Sequence, residues 1–529
     1  MIARRPLLAA ALALSGLALP TPRPARAQAR ARVSLLHVND FHSRHEGAQA
    51  NGAVCRAGAD CLGGSARLVA AMQAARAASA AEGRASLALD IGDQFMGSLF
   101  YTHHRGLAEA AIQNAWGCEA MALGNHEFDN GPENLARYAR ALRAPLLAAN
   151  LDTAGEPALA GLVRPWIAFR RGGARIVLIG VVTEDTPAIA SPGPRLRFGD
   201  PAEATARAIA AARAEGPATV VVLSHRGLAA DRRLAAAVAG IDAILGGHSH
   251  TILASHPDAE GPAPVLADGP DRAVRIVQAG AFGRFLGRLD LDLAEDGRVA
   301  AHGGDPREIT ATQAEDAEAA AIVARFAAPL AAVRARHVAR STAALEVAGC
   351  REGECAIGNL IAEAMLAAVP NADIAIQNGG GMRARLPEGT ITYGDVLAVL
   401  PFGNTLATAT IRGGDLRAAL ENGLSQPGAG RFPQIAGLRI LADLAAPAGR
   451  RLVSAEVTQG ERAGPLDPDR AYRIVTNNFL RLGGDGYAAL RDRALEAYDT
   501  GPLLEEVVAA HLAARQPVTP VTDGRIALR

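Results

Sequence analysis

Seven residues able to ligate a metal fall into five short clusters in the first half of the chain. Asp40 and His42 are spaced i, i+2, Asp93 follows a glycine, and Asn125 lies in Gly124-Asn125-His126-Glu127-Phe128-Asp129. His225 follows Ser224, and His248 and His250 repeat the i, i+2 spacing. Carboxylates, imidazoles and one amide oxygen, without thiolate, make a mixed N/O set. Such a set suits two divalent metal ions, zinc, manganese or cobalt ahead of magnesium. The donors divide in two: Asp40, His42, Asp93 and His250 for one ion, and Asp93, Asn125, His225 and His248 for the other. Two ions roughly 3.5–4 Å apart activate a water and clamp phosphate oxygens. In both i, i+2 pairs the expectation is extended backbone, which puts alternate side chains on one side.

His126 and Asp129 form a separate catalytic pair. An imidazole that binds no metal can protonate a leaving oxygen, and a carboxylate three residues on fixes its tautomer and favours its charged form. The bland alternative is a helix cap plus a solvated charge. Glu127 and Phe128 are read as structural. A lone Asp-x-His is usually a surface or capping feature; five clusters at equivalent places are harder to explain that way.

Those places are set by the elements before them. Residues 32–38, 86–91, 120–123, 174–182, 218–223 and 241–245 are short apolar runs that read as strands, and 65–80 reads as a helix. Each candidate ligand lies at or just past the end of such a run, where sites gather in α/β folds. The alternation implies a layered α/β domain. An alanine-rich stretch with helical character at 315–340, interrupted by Pro329, reads as a connector. A second α/β segment follows it.

That second segment carries its own motifs. Gln377-Asn378-Gly-Gly-Gly-Met-Arg383 joins a glycine turn to an amide and a guanidinium. Pro401-Phe402-Gly403-Asn404 puts an aromatic ring on a turn, and Asn478-Phe479 is followed six residues after the ring by Asp485. Two rings can sandwich a flat base, and a carboxylate can accept both hydroxyls of a ribose. Each motif alone is weak.

At 529 residues the chain exceeds one typical core. It contains no lysine, so Schiff-base and phosphate-loop lysine chemistry are excluded. Arg4-Arg5, the apolar stretch 7–19 and Ala25-Arg26-Ala27 read as a cleaved export signal, residues 1–27, by the general or the twin-arginine route. Its removal leaves 50 arginines against 54 acids, a net charge of −4, which argues against a nucleic-acid polymer as partner. No later run is apolar enough to anchor a membrane, and a periplasmic or secreted monomer is expected. In an oxidising compartment Cys55–Cys61 and Cys350–Cys355 would close as disulfides, leaving Cys118 as a buried thiol. A zinc site from the four paired cysteines is the competing reading; wide spacings and a separation of nearly 300 residues weigh against it.

His37-Val-Asn-Asp-Phe-His42, Gly92-Asp-Gln-Phe-Met-Gly-Ser98, Gly124-Asn-His-Glu-Phe-Asp129, Leu223-Ser-His225 and Gly246-Gly-His-Ser-His250 resemble the five blocks of the 5′-nucleotidase family. The resemblance covers nearly all of the mature chain; His250 departs from members with Gln or Asn there. It implies an N-terminal calcineurin-like metallophosphoesterase domain with four α/β/β/α layers (28–316), a linker or hinge (317–340) and a C-terminal α/β nucleotide-binding domain (341–529). It further implies that Phe402 and Phe479 stack the base, Asp485 binds the ribose, and Asn404 meets the base edge. Arg351, Asn378 and Arg383 would contact the nucleotide or its phosphate. The implied activity is phosphate release from nucleoside 5′-monophosphates, with UDP-sugars or other nucleotide pyrophosphates as further substrates. A 2′,3′-cyclic phosphodiesterase/3′-nucleotidase is the near alternative; that branch is expected to stack with tyrosines, so the phenylalanines favour the first. A non-catalytic nucleotide-binding protein on the same scaffold is the distant one.

Overall fold

The computed structural model describes residues 31–48, 55, 61–460, 462–499 and 501–529. The expected export signal at 1–27 lies outside the described residues.

Runs such as Ala174–Val182 and Thr219–His225 are apolar on both faces and therefore need cover on both. They find it in a sandwich of two sheets. One runs from Val299–Gly303 through Phe285–Leu293, Ala31–Val38, Ala85–Asp90, Ala120–Ala122 and Leu146–Leu147 to Val163–Arg164. The other runs from Val265–Asp268 through Ala273–Val277, Ala243–Gly246, Thr219–His225 and Ala174–Val182 to Trp166–Arg171. Between them Val33, Leu35, Leu87 and Leu289 meet Leu178, Val221, Leu223 and Leu245 in one dry core. Helices Ser65–Ala81, Leu107–Trp116 and Gly131–Ala141 cover the first sheet through Leu68, Met72, Ile112 and Leu135. Pro201–Ala214 and Leu228–Ala237 cover the second through Ala208, Ile209 and Leu234. The layers are α/β/β/α.

Parallel register decides where the loops emerge. Ala31–Val38 pairs in parallel with Ala85–Asp90, which pairs in parallel with Ala120–Ala122. Thr219–His225 pairs in parallel with both Ala174–Val182 and Ala243–Gly246. Parallel strands end together, so the cluster-bearing loops of each sheet leave from one edge.

The second half builds a five-stranded mixed sheet in the order Pro433–Ala436, Ile374–Asn378, Ala471–Asn477, Leu406–Arg412, Glu496–Tyr498. Helices Ala356–Ala368, Tyr393–Val399 and Leu504–Ala514 pack on one face, and Gly413–Leu424 and Ala488–Asp492 on the other. The alanine-rich stretch forms two helices, Ala317–Ala327 and Leu330–Ala335, with Pro329 between them. Ala319 of the first packs into the core of the first half of the chain, and Leu330 of the second packs into that of the other.

Candidate active site

Asp40, His42, Asp93, His225, His248 and His250 converge beyond the strand ends. Among the described residues three groups have ligand atoms within 4.8 Å of one another: Asp40, His42 and His250; Asp93, His225 and His248; and His42, Asp93 and His126. Asn125 joins the group of His248, its Oδ1 being 2.9 Å from His248 Nδ1.

The two i, i+2 pairs reach the cluster by a different backbone from the extended one expected. Asp40 and His42 have left-handed φ values of 52° and 48°, and His248 and His250 have 75° and 55°. An extended segment would keep such side chains roughly 6.6 Å apart; a tight turn gathers them. Asp93 shares the conformation, at φ 55°. Such strain costs about 1–3 kcal/mol per residue and persists only where the surroundings enforce it. Here Asp40 N donates to Gly92 O at 3.0 Å, His42 N to Asp93 O at 3.0 Å, and His248 N to Asp40 Oδ1 at 3.0 Å. The Gly-Asp and Gly-Asn loops touch backbone to backbone. A Cβ on Gly92 would lie 2.4 Å from Gly124 N, and one on Gly124 would lie 2.2 Å from Asp93 Oδ1, so both positions require glycine.

The donor atoms fit cations. His42 Nδ1 is 3.1 Å from Phe95 O, and His225 Nδ1 is 2.7 Å from Ile91 O. Each carbonyl takes the Nδ1–H and turns Nε2 towards the cluster; burial pulls His225 down, but Asp93 and then Asp40 outweigh it and raise the ring to about 10. His42 Nε2 and His250 Nε2 stand only 3.0 Å apart. His225 Nε2 is buried, 3.0 Å from Asp93 Oδ2 but out of line for a hydrogen bond. Nitrogens and carboxylate oxygens aimed at common points are what divalent cations would satisfy. Burial, with His250 beside it, depresses His42 to about 3, and burial, with His225, depresses His248 to about 4, so both rings are neutral. Burial pushes Asp40 upward, but His250 and His225 outweigh it and bring it to about 2.

His126 is held differently. Its Nδ1 donates to Asp129 Oδ2 at 2.7 Å, and its Nε2 lies 4.0 Å from Asp93 Oδ2. Burial pulls the ring down, yet Asp129 and then Asp93 more than offset it, to about 9. The imidazolium has an Nε2 proton to give at the rim of the cluster.

One cleft of about 970 Å³ joins this cluster to the second half of the chain. His42, Asp93, Asn125, His126, His248 and His250 line one side, and Arg351, Asn378, Arg383, Phe402, Asn404, Phe479 and Asp485 line the other. Asp40, His225 and Asp129 are not part of its lining. Phe479 is 43% exposed, and its ring rests on Gly484, where a Cβ would come within 2.5 Å of it. The Arg383 guanidinium lies 5.8 Å from the centre of the Phe402 ring, and among the described residues neither it nor Arg351 is drawn into an ion pair. Arg385, close by in sequence, is not part of the cleft lining and bonds Glu346 at 3.1 Å. Asn378 is nearly buried and gives its amide to Asp485 Oδ2 at 2.7 Å, so its contact is with a neighbour as much as with the cleft. Both expected disulfides are present, Cys55–Cys61 and Cys350–Cys355, and Cys118 is a buried free thiol.

Two residues do more than their sequence signal suggests. Glu127 is fully buried and accepts the backbone N–H of Gly124 at 2.7 Å, of Asp93 and Gln94 at 2.9 Å, and of Phe95 at 3.4 Å. It is the clamp that fixes the loop presenting Asp93. Arg44 reaches from the loop carrying Asp40 and His42 to Phe402 O at 3.1 Å and lies over the Phe282 ring at 5.3 Å. The Asp-x-His signal ends two residues short of Arg44, and nothing in its spacing marks it.

Residues 33–251 match the family model described as calcineurin-like phosphoesterase, and residues 335–492 the one described as 5′-nucleotidase, C-terminal domain. The chain is 32% identical to human 5′-nucleotidase over 523 residues, 93% of this chain and 90% of that protein. A solved 5′-nucleotidase precursor from Thermus thermophilus is 38% identical, with a TM-score of 0.63 over 94% of this chain and 99% of that one. The NAD nucleotidase of Haemophilus influenzae is 25% identical, with a TM-score of 0.75 over 94% and 99%. The chain therefore belongs to the 5′-nucleotidase family, and is a metal-dependent phosphoester hydrolase of two α/β domains.

Proposed function

We propose that this protein is an exported enzyme that frees phosphate from nucleoside 5′-monophosphates at a two-cation centre between its domains. The observation that carries the reading is the single cleft lined at once by the His/Asp cluster and by Arg351, Arg383, Phe402, Phe479 and Asp485. One ion would be held by Asp40, His42, Asp93 and His250, the other by Asp93, Asn125, His225 and His248. Zinc, manganese or cobalt suits that set. When bound, the cations supply Lewis-acid charge to the phosphate and acidify a water.

The chain's own groups do the rest. Arg351 and Arg383 grip phosphate oxygens by charge-assisted hydrogen bonds. Phe402 and Phe479 sandwich the base, Asn404 meets its edge, and Asp485 accepts the ribose hydroxyls. His126, oriented by Asp129, hands its Nε2 proton to the leaving 5′ oxygen. Since the two halves of the site come from domains joined at 317–340, turnover is read as needing domain closure, with Pro329 at the pivot. The roomy cleft supports nucleotide pyrophosphates, UDP-sugars among them, as further substrates. Export is supported by the composition of residues 1–27 and by the two disulfides; no described helix is long and apolar enough to cross a membrane.

Phosphate release from a panel of nucleoside 5′-monophosphates, 3′-monophosphates, 2′,3′-cyclic phosphates and UDP-glucose tests this. The 5′-monophosphates are expected to lead. A lead for the cyclic and 3′ esters would transfer the reading to the alternative branch, and no release from any would leave a nucleotide-binding protein.

A further inference from the structure

Phe479 and Asp485 reach the cleft from one loop and Asn378 from another strand, yet all three are tied to a single amide beneath the cleft floor. Asn477 ends the strand Ala471–Asn477 and is fully buried. Parallel pairing of that strand with Ile374–Asn378 sets its end beside Gln377 and Asn378. Both ends of the Asn477 amide are used. Its Oδ1 accepts Leu480 N at 2.8 Å and so caps the four-residue helix Asn478–Arg481 that carries Phe479. Its Nδ2 donates to Gln377 Oε1 at 2.8 Å and to Asn378 Oδ1 at 3.1 Å. Gln377 Nε2 adds a longer donation to Asn378 Oδ1 at 3.4 Å. With its oxygen engaged, Asn378 has only its Nδ2 to turn outward, and that group holds Asp485 Oδ2 at 2.7 Å.

We propose that Asn477 is the positioning residue of the nucleoside site, setting the Phe479 ring and the Asp485 carboxylate together and so setting selectivity for nucleotides over phosphate esters that lack a nucleoside. The inference rests on the proposed roles of Phe479 and Asp485. Its logic is the polarity of a buried amide chain, in which each donor fixes the orientation of the next. Asn477→Asp keeps the size and the capping oxygen but sets a carboxylate oxygen against Gln377 Oε1 and Asn378 Oδ1. Relief requires the Asn378 amide to flip, which points its oxygen at Asp485 and drives that carboxylate from its place. Among the described residues, nothing in this chain of bonds reaches the His/Asp cluster.

The test compares the metal-loaded full-length protein with N477D on adenosine 5′-monophosphate and on p-nitrophenyl phosphate, an ester with no base or ribose. KM for the nucleotide is expected to rise about tenfold, as loss of one well-made buried hydrogen bond to a charged group implies, while kcat/KM for the aryl ester stays within about twofold. Equal losses on both substrates, or an unchanged nucleotide KM, would overturn the proposal. If N477D shows no cooperative melting, N477S carries the test. Serine caps a helix as well as asparagine does but has no second donor, so the same split is expected, and its absence would overturn the proposal equally. Unmodified protein that cleaves the aryl ester but no nucleotide would instead sink the proposed function.

Discussion

What separates His126 from the other histidines of the site is the partner of its second nitrogen. His42 and His225 give Nδ1–H to backbone carbonyls, which turns Nε2 towards the cluster. His126 gives its Nδ1–H to a carboxylate, Asp129, which favours the imidazolium. Replacing His126 by alanine is therefore expected to lower kcat by about 10²–10⁴-fold, with the metal content of the purified protein unchanged; turnover and elemental analysis read the two halves of that statement. At this scale the sequence reveals residue types well, because Asp, His and Asn beside glycine at strand ends are few. Glu127 escapes because its partners are the backbone N–H groups of Gly124, Asp93, Gln94 and Phe95. Backbone donors leave no side-chain signature, so a carboxylate that clamps a loop reads like any buried acid.

Among elements, strands are legible and turns are not. The runs expected at 32–38 and 174–182 are the strands Ala31–Val38 and Ala174–Val182, since long apolar runs bounded by polar residues have few other uses. The left-handed turns at Asp40, His42, His248 and His250 look extended in sequence, because period-two spacing is common to strands and to tight turns whose shape is imposed from elsewhere. In the second domain the Cys350–Cys355 loop shows how one element braces another. Cys350 O packs on Gly379, where a Cβ would lie 2.3 Å away, and it accepts Gln434 Nε2 at 2.9 Å. Arg351 thus stands on a loop pinned to the Gly379–Gly381 turn. Replacing both cysteines by serine is expected to lower unfolding stability by about 2 kcal/mol, the chain-entropy value for so short a loop. It should also raise KM for nucleotides several-fold while leaving kcat on p-nitrophenyl phosphate intact. Denaturant titration and kinetics check the pair, and an unchanged nucleotide KM would detach the disulfide from binding.

On the scale of the whole molecule, two domains meet over one cleft, and Arg44 crosses between them to Phe402 O. Its charge is felt by Glu505, a fully buried carboxyl at the start of helix Leu504–Ala514. Burial pushes Glu505 up from 4.5 to about 8, and Arg44 only partly opposes it. The unfolded chain releases this proton near pH 4.5 and the folded chain near pH 8, so stability falls as pH rises through that window and is level above it. Glu505→Gln cannot ionise. Its melting temperature should gain on the unmodified protein steadily from pH 5 to pH 8; a pH-independent difference would mean that Glu505 does not titrate there. The same assembly of two domains over one cleft is the central claim for function. Its most direct measurement is phosphate release from adenosine 5′-monophosphate before chelation, after chelation, and after return of zinc, manganese or cobalt. Release that disappears with the metals and returns with at least one of them is the expected result. Release that survives complete removal of metal, or that never occurs in the metal-replete protein, would contradict it.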